Sequence, residues 1–192
     1  RERASSEKSR RQKKAFILLW KWKSKSGRFP LRFLYEGGKM KKHFPLFISV
    51  EKKKVLVIGA GKVALRRISA LQDFGADITV IAKSVPGDQK ERIECLHREG
   101  KINLMEREFR PADILTDYFM IIAASDDNDL NRNIVALGRE KGILVNSASC
   151  REDCDFYFPA IAAKDNIVVG IAGDGSDHRA VADLAAKVRR AL

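Results

Sequence analysis

The stretch VLVIGAGKVALRR, residues 55–67, decides the fold class of this 192-residue chain. Its first residues, Val55–Ile58, are an apolar run typical of a buried strand. A G-x-G-x-x-A pattern follows at Gly59, Gly61 and Ala64. Apolar side chains then recur with helical spacing, at Ala64, Ile68 and Leu71. The stretch therefore predicts a strand, a glycine turn and a helix in direct succession.

The glycine pattern favours dinucleotide binding over a purely structural turn. In such units the first glycine permits the tight turn, and the second lets a pyrophosphate approach the backbone. The small third residue lets helix and strand pack closely, and the helix N-terminus directs its N–H groups at the phosphates. The pattern is weak alone, but here the strand, the helix and a following βαβ pattern accompany it.

The residue that holds the adenosine ribose departs from the usual pattern. An acidic side chain is expected about twenty positions after the turn, whereas the sequence has Lys83 and Ser84 there. Ser84 or backbone groups could hold the ribose, and Lys83 leaves NADP open. We expect NAD as the cofactor, with NADP as the alternative.

Beyond the turn, apolar strands alternate with helices at roughly 25-residue spacing, which is typical of a parallel sheet. The predicted strands are residues 77–82, 102–108, 118–125 and 142–147. The fold class is therefore α/β, a Rossmann-type doubly wound parallel sheet, which we assign to residues 40–150.

The pattern changes after Ser149. Two β-rich runs, Phe156–Ala163 and Asn166–Ala172, are joined by Lys-Asp and predict a hairpin. The final helix has one apolar face, formed by Val181, Leu184, Ala185 and Val188. A hairpin and one helix are too small to bury themselves. Residues 151–192 should therefore pack on the sheet domain or on a second copy of the chain.

The positive charge is concentrated in residues 1–39, which hold thirteen Lys or Arg against three Glu, a net +10 of the chain's +12. They lack a sustained hydrophobic period, so we expect a disordered, non-functional extension, with Met40 as the hypothetical start. The alternatives are a basic arm for nucleic acid or membrane, or a targeting peptide. The remainder is nearly neutral and has no run long enough to span a membrane, so we expect no nucleic-acid or membrane partner.

The three cysteines, Cys95, Cys150 and Cys154, are few and odd in number. This predicts free thiols in a reducing cytoplasm. The spacing in CREDC matches neither a zinc knuckle nor the C-x-x-C redox motif, so we expect no metal site.

Five segments together resemble the precorrin-2 dehydrogenase family, the N-terminal part of siroheme synthase. They are FPLFISVEKKKVLVIGAGKVALRR, FGADITVIA, IIAASDDNDLN, ILVN and DFYFPAI. The resemblance spans about residues 44–188. It implies NAD-dependent oxidation of precorrin-2 to sirohydrochlorin, coupled in some members to iron insertion. It also implies a homodimer joined through the region after the nucleotide domain.

The resemblance implies NAD contacts in the glycine turn, after the second strand and after the fourth. These residues are Gly59, Gly61, Lys62, Val63, Lys83, Ser84, Ala124 and Asp126. Ala124, Ser125 and Asp126 resemble the family's A-T-D-D signature. The alternative is that Asp126 or Asp127 caps the next helix.

An octacarboxylate tetrapyrrole also requires cationic partners. We expect Arg66, Arg67 and His178 to contact its carboxylates, with the two arginines opposite the apolar face of their helix. The alternative is that surface arginines of this kind are only solvated.

The acid/base position departs from the family pattern. The aspartate that ends the family's N-x-x-D run corresponds to Ser149, a poor proton acceptor. Asp153 or Asp155 lies near enough in sequence to substitute, and the alternative is that dehydrogenation does not require this role. Our candidate catalytic residues are Ser149, Asp153 and Asp126. Because of Ser149, and because the chain ends at Leu192 without a helical extension found in many members, we predict dehydrogenation without efficient iron insertion. The alternative function is a non-catalytic, NAD(H)-sensing regulatory module.

Overall fold

The protein is described from a computed structural model that covers residues 44–192 in detail. The predictions for residues 1–39, including the start at Met40, lie outside the described residues. Residues Phe47–Leu192 form one compact unit. The division of this unit near residue 150 stays a prediction.

Five parallel strands form the central sheet. They are β1 (Lys54–Ile58), β2 (Asp77–Ala82), β3 (Asn103–Glu106), β4 (Met120–Ala123) and β5 (Leu144–Ser147). Their order across the sheet is β3-β2-β1-β4-β5, so the chain builds outward from β1 in two opposite directions. In register, Ile58 pairs with Ile81 on one side and with Ala123 on the other. The predicted Rossmann-type doubly wound sheet is confirmed.

Three helices cover the sheet, α1 (Lys62–Asp73), α2 (Gly87–Arg98) and α3 (Asn128–Glu140). Side chains of β1 alternate between two apolar clusters, one on each face of the sheet. Val55 and Val57 lie in the cluster with Ile68 of α1, while Leu56 lies in the cluster with Ile134 of α3. Both faces are therefore buried, which explains the near-continuous apolar strands.

The connection from β3 to β4 contains a 3-10 turn, Pro111–Asp113, in place of a full helix. Arg107 fastens this connection, because its guanidinium donates to both carboxylate oxygens of Asp113 at 2.7 Å. The Arg110 amide donates to the same carboxylate at 2.7 Å. These bonds, with the Arg107 side chain first, hold the pKa of Asp113 below its ordinary value.

The C-terminal region is an antiparallel hairpin, β6 (Ala160–Lys164) with β7 (Ile167–Ile171), followed by helix α4 (His178–Ala191). The hairpin prediction is confirmed, but its first strand begins at Ala160, because Phe156 and Phe158 pack against the core of the sheet. Lys164 pairs with Ile167, so the turn is Asp165 and Asn166.

Polar contacts fasten the segment between β5 and β6 to β5 and to α3. The Asp155 carboxylate accepts from the Val145 amide at 2.9 Å and from the Arg139 guanidinium at 2.9 Å. The Asn146 side chain donates to the Phe156 carbonyl at 2.6 Å. The route from the sheet to the hairpin is therefore fixed by bonds as well as by packing.

The apolar face of helix α4 is only partly buried. Ala185 is buried, but Leu184 is 50% exposed, as is Ile167 of the hairpin at 52%. None of the helices in residues 44–192 combines the length and apolar character needed to cross a bilayer.

Replacing Asp113 tests the fastening of the β3–β4 connection. We expect Asp113→Asn to lower the free energy of unfolding at pH 7 by about 1–2 kcal/mol, since the Arg107 bonds lose their charged acceptor. The folded pKa of Asp113 is depressed, so its stabilisation is full above the unfolded pKa and disappears as pH falls through the folded pKa. The difference between variant and wild type, measured by urea unfolding, should therefore shrink below about pH 4.

The matched control is Asp117→Asn, which breaks the ion pair with Lys54 at 2.6 Å, where both side chains are half exposed. Its effect on unfolding should be much smaller. Equal effects of the two substitutions would contradict a special role for the Arg107–Asp113 contact.

Candidate functional site

The turn after β1 is closed by contact between backbones. Gly59 has φ +107, and a Cβ built on it would lie 2.2 Å from the Ala124 carbonyl oxygen. Its amide donates to the Ile81 carbonyl at 2.8 Å. The glycine is therefore required by the fold, because any side chain would collide with the chain leaving β4.

Gly61 has a different environment. It is the N-cap of α1 with extended backbone, and no side chain caps the helix at this position. A Cβ built on Gly61 has nothing within 4 Å. The space over the first turn of α1 is open, and the helix N–H groups there point into it. This cradle fits a pyrophosphate, which needs N–H donors and close approach to the backbone.

Two further residues of the turn lie at the rim of the cradle. Val63 is 38% exposed. The Lys62 ammonium lies 3.1 Å from the Asp88 carboxylate at the start of α2. The predicted contacts Gly59, Gly61, Lys62 and Val63 are thus brought together at one end of α1.

Lys83 and Ser84 follow β2 and are both exposed. The Lys83 ammonium lies 2.8 Å from the Glu108 carboxylate, which follows β3. The hydrogen bond to Glu108, and less strongly the charge of Asp126, raise the pKa of Lys83. The sequence did not single out Glu108, because this residue lies outside the glycine turn and follows β3, whereas Lys83 follows β2.

The segment after β4 is held by hydrogen bonds around Asn131, which is buried in α3. Its carbonyl oxygen accepts from the Ser125 amide at 3.1 Å and from the Ser125 hydroxyl at 2.9 Å. The Asp127 carboxylate caps α3, accepting from the amides of Asp129 and Leu130. Asp127 is therefore the residue that caps α3, while Asp126 is exposed and its negative charge contributes to the raised pKa of Lys83.

Ser149 lies close to this segment. The Ser149 hydroxyl lies 3.1 Å from the Ser147 hydroxyl. The side-chain nitrogen of Asn131 donates to the Ser149 hydroxyl at 3.4 Å. Ala124, Ser125, Asp126 and Ser149 thus lie around the carboxyl ends of β4 and β5.

The two carboxylates offered as substitutes for Ser149, Asp153 and Asp155, differ in their hydrogen-bond partners. The Asp155 carboxylate accepts from Arg139 and from the Val145 amide, so it has a structural role. Its substitution as the acid/base group stays a prediction. Asp153 is half-buried, and its carbonyl accepts from Arg139 at 3.1 Å. The catalytic role of Asp153 stays a prediction.

The prediction that Arg67 lies opposite the apolar face of α1 is wrong. It is half-buried, with its guanidinium 5.3 Å from the centre of the Phe158 ring, because the segment after β5 packs against this side of the helix. Its Nε and Nη1 atoms are buried without a hydrogen-bond partner. Burial lowers the pKa of Arg67. Arg66, by contrast, is exposed.

A hollow of about 90 Å³ adjoins Phe158. It is lined on other sides by Arg151, Tyr157 and His178, the first residue of α4. The Arg151 guanidinium stacks 4.0 Å from the centre of the Tyr157 ring and donates to the Gly173 carbonyl at 2.7 Å. Phe158 thus contacts Arg67 and also lines the hollow that Arg151 and His178 share. Nothing in the charged CREDC stretch distinguishes Arg151 from a solvated loop residue.

The three cysteines are free, which confirms the prediction of unpaired thiols. Cys154 is held in place, since its Sγ accepts from the Ser147 amide and donates to the Ser147 carbonyl, both at 3.2 Å. Burial raises the pKa of the Cys154 thiol. In the described part of the chain, no group of three or more His, Cys, Asp or Glu could hold a metal ion.

Comparison with known proteins places this site in context. A family model described as "Putative NAD(P)-binding" matches residues 46–160, which include the glycine turn and the ends of all five parallel strands. Among solved structures, "SirC, precorrin-2 dehydrogenase" aligns with a TM-score of 0.60 and 24% identity over 78% of this chain and 71% of that one. This likeness extends the fold comparison into the hairpin region.

Similar sequences occur in longer proteins. The chain is 40% identical over 148 residues to a "Probable multifunctional siroheme biosynthesis protein HemA" of Ruminiclostridium josui, covering 77% of this chain and 28% of that protein. It is 39% identical over 132 residues to a siroheme synthase of Psychrobacter cryohalolentis, covering 69% of this chain and 24% of that protein. The chain therefore spans about a quarter of the length of these relatives.

The two glycines of the turn should have separable functions. We expect Gly61→Ala to keep the free energy of unfolding within about 1 kcal/mol of the wild type. Its affinity for NAD⁺ should fall at least about tenfold, because the new methyl group occupies the space that phosphates approach. Isothermal titration calorimetry with NAD⁺ and urea unfolding measure the two quantities.

The matched variant is Gly59→Ala, which should lower the free energy of unfolding by about 3 kcal/mol through backbone strain and the collision with Ala124. If Gly61→Ala bound NAD⁺ with wild-type affinity, the cradle over α1 would not be the phosphate site.

Proposed function

This chain belongs to the NAD(P)-binding family that its residues 46–160 match, as the precorrin-2 dehydrogenase resemblance predicts, and we propose that it oxidises precorrin-2 to sirohydrochlorin. NAD(P) is the cofactor that the family binds. The similar proteins that carry the words siroheme synthase or precorrin-2 dehydrogenase in their names support this substrate.

One observation carries the proposal: helix α1 has the open phosphate cradle at its start and, further along, a half-buried arginine whose Nε and Nη1 atoms have no hydrogen-bond partner. Gly61 caps the start of α1, and Arg67 follows six residues later, about 9 Å along the helix axis. An anionic substrate held by Arg67 would thus lie within reach of a dinucleotide bound at Gly61. When bound, NAD(P)⁺ supplies the hydride acceptor.

The chain's cations suit a substrate with many carboxylates. Buried N–H donors without acceptors are unfavourable, and a carboxylate would satisfy the Nε and Nη1 groups of Arg67 with charge-assisted bonds. Arg151 extends the positive surface past Phe158, and the His178 imidazole lines the same hollow. The Phe158 ring offers apolar surface to a flat macrocycle. Arg66 is exposed and remains a weaker candidate for this role.

Oxidation also releases a proton, which requires an acceptor. Of the three candidates, Ser149 is a hydroxyl that contacts Ser147 and Asn131, and Asp153 lies on the loop after it. Asp126 is an exposed carboxylate that follows β4, beside the cofactor turn. We assign the proton to Asp126, with Ser149 and Asp153 as neighbours that orient water or substrate.

We further propose that two chains associate through the hairpin and α4, in the cytoplasm. The exposed apolar side chains Ile167, Val168 and Leu184 support the dimer, because a second copy would cover them. The unpaired cysteines support a reducing compartment.

The activity is tested by incubating the chain with precorrin-2 and NAD⁺. We expect the sirohydrochlorin spectrum together with NADH, and only slow siroheme formation on addition of Fe²⁺, because Ser149 lacks a carboxylate. Tight NAD⁺ binding without NADH formation would instead support the NAD(H)-sensing module, which Ser149 favours. Rapid siroheme formation would contradict the proposal of inefficient iron insertion.

Replacing Arg67 tests substrate recognition. Arg67→Met should raise the KM for precorrin-2 by about 10- to 100-fold, the loss expected for charge-assisted hydrogen bonds. The affinity for NAD⁺ and the free energy of unfolding should stay near wild type, because methionine retains the packing against Phe158 and removes unpartnered donors. The control is Arg98→Met on the outer end of α2, which should change none of these quantities. A loss of stability with unchanged KM would make Arg67 a structural residue.

A further inference from the structure

An ion pair lies where the adenosine end of a dinucleotide would bind, and a third charged side chain, Asp126, acts on it electrostatically. Lys83 follows β2, Glu108 follows β3 and Asp126 follows β4, so all three are at the carboxyl edge of the sheet. In related folds the adenosine ribose lies beyond the end of the second strand. Here that position is occupied by Lys83 and not by the usual acidic residue.

The register of the sheet brings Glu108 to Lys83. Ala82, the last residue of β2, pairs with Glu106, the last residue of β3. Two residues on, the Glu108 carboxylate lies 2.8 Å from the Lys83 ammonium. The pair holds the pKa of Glu108 below its ordinary value, so this carboxylate is ionised at neutral pH. The chain that follows the neighbouring strand β3 thus supplies an acidic group beside the position where the usual motif has one after β2.

The sum of these charges decides between the two dinucleotides. One ammonium and two carboxylates leave a net charge of −1 around Lys83. NADP differs from NAD by a 2′-phosphate, which adds a charge of about −1.5 to −2 at neutral pH. Lys83 alone would attract that phosphate, but Glu108 already occupies its ammonium, and the nearby Arg107 is bound to Asp113.

We propose that Glu108 is a specificity-determining residue that makes the site select NAD over NADP, by neutralising Lys83 and accepting a hydrogen bond from the ribose 2′-hydroxyl. This inference rests on the cofactor half of the proposed function, the binding of NAD(P). It does not depend on the identity of the substrate.

The test measures affinities for NAD⁺ and NADP⁺ by calorimetry on the full chain. The wild type should bind NAD⁺ at least about tenfold more tightly than NADP⁺, a difference of the size expected when one charge is repelled at a partly solvated site. Glu108→Gln should reduce that ratio about tenfold, because it removes a carboxylate and frees Lys83. Lys83→Met should have the opposite effect and raise the ratio, since Glu108 then lacks its counter-charge.

The matched control is Glu99→Gln, which removes a carboxylate from another exposed lysine pair, Lys101 at 2.9 Å, at the amino end of β3. It should leave the ratio unchanged. Equal wild-type affinities for the two dinucleotides, or the same ratio in Glu108→Gln as in Glu99→Gln, would overturn the proposal. If Glu108→Gln abolishes the selectivity for NAD⁺, the role of Glu108 is supported whether or not the chain oxidises precorrin-2. Failure to oxidise precorrin-2 would contradict only the proposed activity.

Discussion

The contact of Gly59 with the Ala124 carbonyl is the constraint on which the site depends. Three hydrogen bonds continue this contact along the edge of the sheet. In each, the amide of the residue that follows one strand donates to a carbonyl near the carboxyl end of the neighbouring strand. The Gly59 amide donates to Ile81, the Ala124 amide to Ile58, and the Ala148 amide to Ala123, each at 2.8 Å. The ends of β2, β1, β4 and β5 are thereby fixed relative to one another. A cofactor bound across them meets a rigid surface, which limits the entropy lost on binding.

Polar groups then link the cofactor turn to the region after β5. The buried Asn131 side chain joins Ser125 to Ser149, and nearer the surface Asp155 joins Arg139 to Val145 of β5. The Asn131 contacts favour one arrangement, because leaving a buried amide without a partner is unfavourable. The position of Phe158, and through it the partial burial of Arg67, follows from this fastening.

The sequence predicted the elements that local patterns control. The glycine turn, the parallel strands and the order of the elements follow from hydrophobic period and from the steric needs of Gly59. The hairpin was predicted too long because Phe156 and Phe158 have strand-like composition, whereas their burial is decided by the sheet beneath them. Arg67 follows Ala64 by three residues and precedes Leu71 by four, so helical spacing alone could have placed it beside the buried face.

Other parts of the site could not be read from spacing. The ion pair of Lys83 with Glu108 depends on the register between β2 and β3, and the place of Arg151 depends on how its loop folds against Gly173. Both contacts join residues more than twenty positions apart, and no local pattern fixes such distances. Contacts of this kind can be identified only once the three-dimensional structure is known.

The distribution of charge gives the two ends of the site opposite character. Around Lys83 the carboxylates of Glu108 and Asp126 outnumber the one ammonium, while Arg67 and Arg151 at the other end present N–H donors and positive charge. A dinucleotide carries its negative charge at the pyrophosphate, midway between its ends, where the N–H groups of α1 face it. A polycarboxylate substrate is repelled from the adenosine end and attracted to the end near Phe158. The same asymmetry that disfavours an additional phosphate therefore also orients cofactor and substrate relative to each other.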